Sequence, residues 1–81
     1  MLTGEQIRAA RAMVRMDQST LAIASGVSLP TVKRLEGVSG PISANTSTEA
    51  AIRKAFGNAG IIFIDENGEG PGVRLRKERC A

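Results

Sequence analysis

The stretch QSTLAIASGVSLPTVKRLE, residues 18–36, constrains this chain more than any other. Leu21, Ala22 and Ala24 fall on one side of a first short helical segment, and Val32 and Leu35 fall together on a second. Gly26 lies between them, and only glycine adopts the left-handed backbone of a helix C-terminus without a steric penalty. Asp17 and Ser28 stand where each segment needs a side-chain oxygen for its free N–H groups. Pro30 occupies a first-turn position, where its missing N–H breaks no intrahelical bond. The pattern predicts two short helices crossing at a tight turn. Small Ala22 sits where the second passes over the first, and Val27, Val32 and Leu35 close the wedge between them.

Before this unit, Thr3 and Gln6 have capping-box spacing, and Leu2 and Ile7 hold the hydrophobic-staple positions. A first helix is expected over residues 4–16, with Ile7, Ala10, Val14 and Met13 as its apolar stripe. Residues 38–45 read as a loop. Thr46 and Glu49 repeat the capping-box spacing and open a fourth helix that turns Ile52, Ala55, Phe56 and Ala59 to one side. Gly60 ends it and sets Ile61 against Phe56, unless Gly57, at a cost of about 1 kcal/mol relative to Ala, ends it sooner. The pattern then changes. Residues 61–64 are continuously apolar, residues 65–72 are acidic and glycine-rich, and Val73, Arg74, Leu75 and Arg76 alternate. This is a β-hairpin. Asn67-Gly68 offers a tight turn, but Pro71 cannot donate to a ladder and favours a longer loop. The expected fold class is mainly α: four helices in residues 1–60, then a C-terminal β-hairpin and basic tail in residues 61–81.

Composition excludes most chemistry. With 81 residues the chain builds one modest core, burying roughly 60–65% of its unfolded surface. It has no His, and Cys80 is its only cysteine, so no ordinary zinc ligand set or Ser-His or Cys-His pair can be assembled. No enzyme, metal or cofactor is expected. A lone cysteine fits a reducing cytoplasm, although Cys80 could still join two chains. No apolar run is long enough to span a bilayer, and no membrane association is expected.

At Gln18, Leu21-Ala22, Gly26-Val27-Ser28 and Arg34-Leu35-Glu36 the sequence resembles the phage-repressor-like, or lambda-repressor-like, Xre-type helix-turn-helix family. The resemblance spans residues 2–56 and includes Arg11, at the family position whose guanidinium pairs with the carboxylate here supplied by Glu36. It implies sequence-specific binding to double-stranded DNA by a transcriptional regulator, a homodimeric repressor or autoregulator, with the third helix in the major groove. Carried over residue by residue, it makes Gln18 a phosphate or base-edge contact at the start of the second helix. It turns Leu29, Pro30, Lys33 and Arg34 toward the groove, with Arg34 favoured for guanine and Ser28 and Thr31 adding hydroxyls. Two departures stand out. Leu29-Pro30 cannot hydrogen-bond a base edge, and Ser25 replaces the commoner apolar residue before the turn glycine. The thin base-reading set keeps a second class open, a protein-interaction module such as an antitoxin or anti-activator with a protein partner.

Charge alone argues weakly for DNA. Residues 1–45 carry +2, residues 46–72 carry −2 and residues 73–81 carry +3. The tail residues Arg74, Arg76, Lys77 and Arg79 either reach a phosphate backbone or keep an edge strand soluble. Ile61, Ile62, Phe63, Ile64, Val73 and Leu75 are the expected dimerisation residues, because an isolated ribbon is marginal and this one is apolar on both faces. The alternative is cover from Phe56, Met13 or Met16 within one chain.

Overall fold

A computed structural model describes residues 1–77 of the chain. Four helices, α1 (Gly4–Val14), α2 (Gln18–Ser25), α3 (Leu29–Glu36) and α4 (Thr46–Asn58), precede an antiparallel hairpin of β1 (Ile61–Ile64) and β2 (Gly72–Leu75). The expected mainly helical class with a C-terminal hairpin is what the chain forms. The expected tail residue Arg79 and the thiol of Cys80 lie outside the described residues.

The local signals act as their chemistry requires. Thr3 Oγ1 accepts from Gln6 N–H at 3.1 Å, and the Thr3 N–H donates back to Gln6 Oε1 at 2.9 Å. Helix α1 stops two residues earlier than the sequence suggests, because Arg15 turns left-handed at φ 55° and its N–H caps the helix. Asp17 caps α2, Gly26 ends it at φ 74°, and Ser28 caps α3. The start of α4 differs from expectation. Asn45 is the cap, its side-chain oxygen accepting from Thr48 N–H at 2.8 Å, and Thr46 and Glu49 form no capping box. Gly57 stays inside α4, while Gly60 takes the left-handed turn into β1.

Helix α2 packs on α3 and α4, α1 packs on α3, and the hairpin lies over α1 and α4. Leu2, Ile7, Leu21, Val32, Leu35, Ile52 and Phe56 form the fully buried centre of the core. Ala24, expected on the buried side of α2, is exposed; Leu21 alone of that helix is fully buried. The loop between α3 and α4 is tied to the N-terminus rather than free. Ile42 is buried, its N–H donates to Leu2 O at 2.9 Å, and Gly4 N–H donates to Gly40 O at 3.1 Å. Gly4 passes so close to this loop that a Cβ there would sit 2.0 Å from Val38 O.

The hairpin pairs Ile61 with Leu75, Ile62 with Arg74, Phe63 with Val73 and Ile64 with Gly72, across the longer loop that Pro71 favoured. Phe63 meets Phe56 edge to face, centroids 5.8 Å apart, and the Arg53 guanidinium lies 5.7 Å from the Phe63 ring centre. Phe56 therefore covers the hairpin's inner face from within the chain. A polar pin completes the docking. The Gln6 Nε2 group donates to Gly72 O at 2.9 Å and Ile64 O at 3.4 Å, joining the first turn of α1 to the last rungs of the ladder.

Candidate nucleic-acid interface

Helix α3 turns about 100° per residue, so Val32, Leu35 and Glu36 face the core together. The opposite side carries Pro30, Lys33 and Arg34, all exposed, with Leu29 and Thr31 half-buried at its margins. Leu29 is thus a flank residue rather than the tip of the exposed stripe. Among the described residues Lys33 makes no ion pair. Arg34 is braced sideways, its Nη1 donating to Ser43 O at 3.3 Å, which leaves the rest of the guanidinium fork open to solvent.

The Ser28 hydroxyl donates to Thr31 Oγ1 at 2.9 Å and accepts from Thr31 N–H at 3.4 Å. Both hydroxyls therefore stand at the α3 N-terminus as a linked pair. At the start of α2 the arrangement is less open to an anion than expected. The Asp17 carboxylate takes the Thr20 N–H at 2.7 Å, a bond that holds its pKa below the ordinary aspartate value. Gln18 is half-buried and near enough to the Glu36 carboxylate to help favour its charged form.

Glu36 is the hub that fixes α3. The Arg11 guanidinium engages it bidentately, Nε to Oε2 at 2.6 Å and Nη2 to Oε1, while Arg11 Nη1 donates to Met16 O at 2.9 Å. Arg8 Nη1 donates to the Glu36 backbone oxygen, closing the end of α3. The carboxylate is 7% exposed, and its hydrogen-bonded pairing with Arg11 outweighs burial and lowers its pKa. One ion pair thus ties α1 to the end of α3 and to the entrance of α2.

Ser25 has a role the sequence did not reveal. Its hydroxyl donates to Leu21 O at 2.7 Å and accepts from Val27 N–H at 3.2 Å, spanning the turn around Gly26. An apolar residue there would leave the Val27 N–H to solvent. Ile23 was also missed. It lies 84% exposed on the outer side of α2, with Ser19 and Thr20 also exposed.

The hairpin residues divide unevenly. Ile61 is core, Phe63 and Val73 pack against the core, Ile62 and Ile64 are half-buried on the opposite face, and Leu75 is 36% exposed. Ile61 and Phe63 are thereby used within one chain. Among the described residues no group of His, Cys, Asp and Glu could hold a metal ion, and no helix is long and apolar enough to cross a membrane.

No protein-family model matches the chain, and no curated protein matches it significantly.

Proposed function

We propose that the chain is a cytoplasmic, non-enzymatic transcriptional regulator that binds double-stranded DNA sequence-specifically through α3, working as a homodimeric repressor or autoregulator. The observation that carries the reading is the pairing of an exposed Pro30-Lys33-Arg34 stripe with a fixed mount. Gly26, the Ser25 hydroxyl and the Arg11–Glu36 pair set the angle of α3 independently of any ligand. Such preorganisation suits a helix that must enter a groove as a rigid body. Arg34 reads guanine, Lys33 adds guanine or phosphate contact, and Leu29 and Pro30 touch thymine methyl groups. Ser28 and Thr31 contribute hydroxyls, and Gln18 contributes a backbone contact from the α2 entrance.

Fluorescence anisotropy on the chain's own upstream region, against random duplex at matched salt, tests this. Arg34→Ala is expected to weaken specific binding at least tenfold and non-specific binding little. Equal affinity for both duplexes refutes the reading.

In the second class, a protein-interaction module of antitoxin or anti-activator type, Ile23, 84% exposed on the outer side of α2, is the contact offered to a partner. On that reading Ile23→Ser abolishes co-purification of a partner encoded beside the chain and leaves DNA affinity unchanged.

A further inference from the structure

The hairpin leaves one side unfinished, and what lies beside it identifies the occupant. Arg76 N–H donates to Gly60 O at 2.7 Å, which fixes the parity of the ladder. Rungs 62–74 and 64–72 are the hydrogen-bonded ones, so the N–H and C=O of Val73 and Leu75 point away from β1. Neither residue has another backbone partner among the described residues.

Along this edge runs α1 in the same direction as β2. Glu5, Gln6 and Ala9 line a shallow cleft with Pro71, Gly72 and Val73, and Met13 and Met16 share the next depression with Leu75. Ala9, Ala12 and Met13 are exposed on α1, so a small, nearly uncharged helix face adjoins the open strand edge. Charge is polarised along it. Exposed Glu66 and Glu69 stand at the loop end beside Glu5, whereas Arg15, Arg76 and Lys77 stand exposed at the other.

We infer that the β2 edge and the exposed face of α1 form the interface with a second copy of this chain, joined as a continuous four-stranded antiparallel sheet. Two identical strands that pair antiparallel are related by a twofold axis, and that axis lays the acidic end of each copy on the basic end of the other. The register follows from charge. Centring on Arg74 would oppose two arginines directly, which is destabilising. Centring on Val73 places Arg74 opposite the partner's Gly72 and brings Lys77, just beyond β2, toward the loop that carries the partner's Glu69. Val73 then exchanges both backbone bonds with the partner's Val73, and Leu75 N–H donates to the partner's Pro71 O, while Leu75 O, which meets a proline nitrogen, is left to solvent. The small α1 faces meet beneath the new sheet. This deepens the homodimer part of the proposed function and is independent of its DNA part. Of the expected dimerisation residues Ile61, Ile62, Phe63, Ile64, Val73 and Leu75, it retains Val73 and Leu75, through their outward backbone edge.

Sedimentation equilibrium without DNA tests it. The chain is expected to be a dimer in the micromolar range. Val73→Pro removes an outward-facing donor at a position where an edge strand accepts proline, trims the packing of Val73 on the core, and is expected to weaken dimerisation at least tenfold with the helical circular dichroism unchanged. Glu69→Lys and Lys77→Glu are each expected to weaken it several-fold at low salt, and the double charge swap to restore it to within about twofold. The swap keeps the inference testable if the proline variant misfolds. A monomer at several hundred micromolar overturns the interface and the homodimer together. A dimer indifferent to Val73→Pro and to both charge reversals overturns the interface alone. Neither result bears on the anisotropy comparison with random duplex.

Discussion

Replacing Gln6 with Glu separates two functions that one side chain performs. In the capping box an oxygen accepts from Thr3 N–H at 2.9 Å, and glutamate serves there equally well. A carboxylate near a helix N-terminus even gains about 0.5 kcal/mol. The other end of the side chain is different. Nε2 donates to Gly72 O at 2.9 Å and to Ile64 O at 3.4 Å, and a carboxylate oxygen would face both carbonyls with no hydrogen to offer. Loss of these donors costs about 1–2 kcal/mol. Gln6 is only 3% exposed, so the charge is also desolvated. If burial raises the introduced carboxyl by about two pKa units, the ionised form costs a further ~2.7 kcal/mol. After the gain at the helix terminus, Gln6→Glu is expected to destabilise the fold by about 3–4 kcal/mol at pH 7.5. That is a large part of the ~4–12 kcal/mol typical of a domain this size. The pH sign is opposite to that of most carboxylates. A folded pKa above the unfolded value means that the ionisation penalty is absent below the unfolded pKa and grows until pH reaches the folded one. At pH 5 it is about 1 kcal/mol, and by pH 7.5 it is nearly complete. Urea unfolding of both chains at the two pH values measures the difference. A variant within about 0.5 kcal/mol of the parent at pH 7.5, or one whose deficit shrinks as pH rises, refutes the assignment of Gln6 as the pin of the hairpin.

Other expectations use the same measurements. Gly4→Ala drives a methyl group into Val38 O and is expected to cost at least ~2–3 kcal/mol, visible as a lower Tm; an unchanged Tm would show that the α3–α4 loop yields freely. Glu36→Gln leaves Arg11 without its carboxylate, and because Arg11 keeps 23% exposure the cost is expected near 2–3 kcal/mol, below the ~3–5 of a fully buried pair. Since pairing lowers the Glu36 pKa, its stabilisation is complete above the unfolded value and lost as pH falls through the folded one. The parent should therefore lose more stability than Glu36→Gln in acid titration below about pH 4.5, and parallel curves would contradict the pairing. Ser25→Ala frees the Val27 N–H and is expected to cost about 1 kcal/mol, whereas Ser25→Thr, which keeps the hydroxyl, should retain most of it.

What was legible in the sequence was what short-range chemistry decides. Thr3 with Gln6, Asp17, Gly26 and Ser28 each act within a few residues of themselves, so the boundaries they set needed no tertiary information. The Arg11–Glu36 pair lies far apart in sequence and was accessible only through the family resemblance, because nothing in either residue's neighbourhood specifies the other. Errors arose where two local signals competed. Asn45 and Thr46 are both good caps, and the choice of Asn45 moved the helix start out of register with Glu49. At Arg15 a residue with no special turn propensity adopts a left-handed conformation, so the pattern of Met13, Val14 and Met16 carried the expected helix too far. In the candidate site, the exposed positions of Lys33 and Arg34 followed from the helical period. The sideways brace from Arg34 to Ser43 and the nearness of Gln18 to Glu36 depend on how a loop and a second helix are placed, which periodicity does not encode.

Helix α1 links all of these regions, and its length makes the links interdependent. Eleven residues carry the Gln6 pin to the hairpin, the Arg8 and Arg11 bonds to the end of α3, and the exposed Ala9 and Met13 face assigned to the second copy. A helix this short moves as one body. Its bonds from Arg8 and Arg11 to Glu36 tie its position to that of α3, which carries Lys33 and Arg34. Substitutions at Gln6 and Arg11 should therefore be non-additive in stability, by more than the ~0.5 kcal/mol expected of independent sites. Double-mutant cycles between Gln6→Ala and Arg11→Ala, read by urea unfolding, measure that coupling. A coupling energy of zero would mean that α1 holds the hairpin and α3 separately.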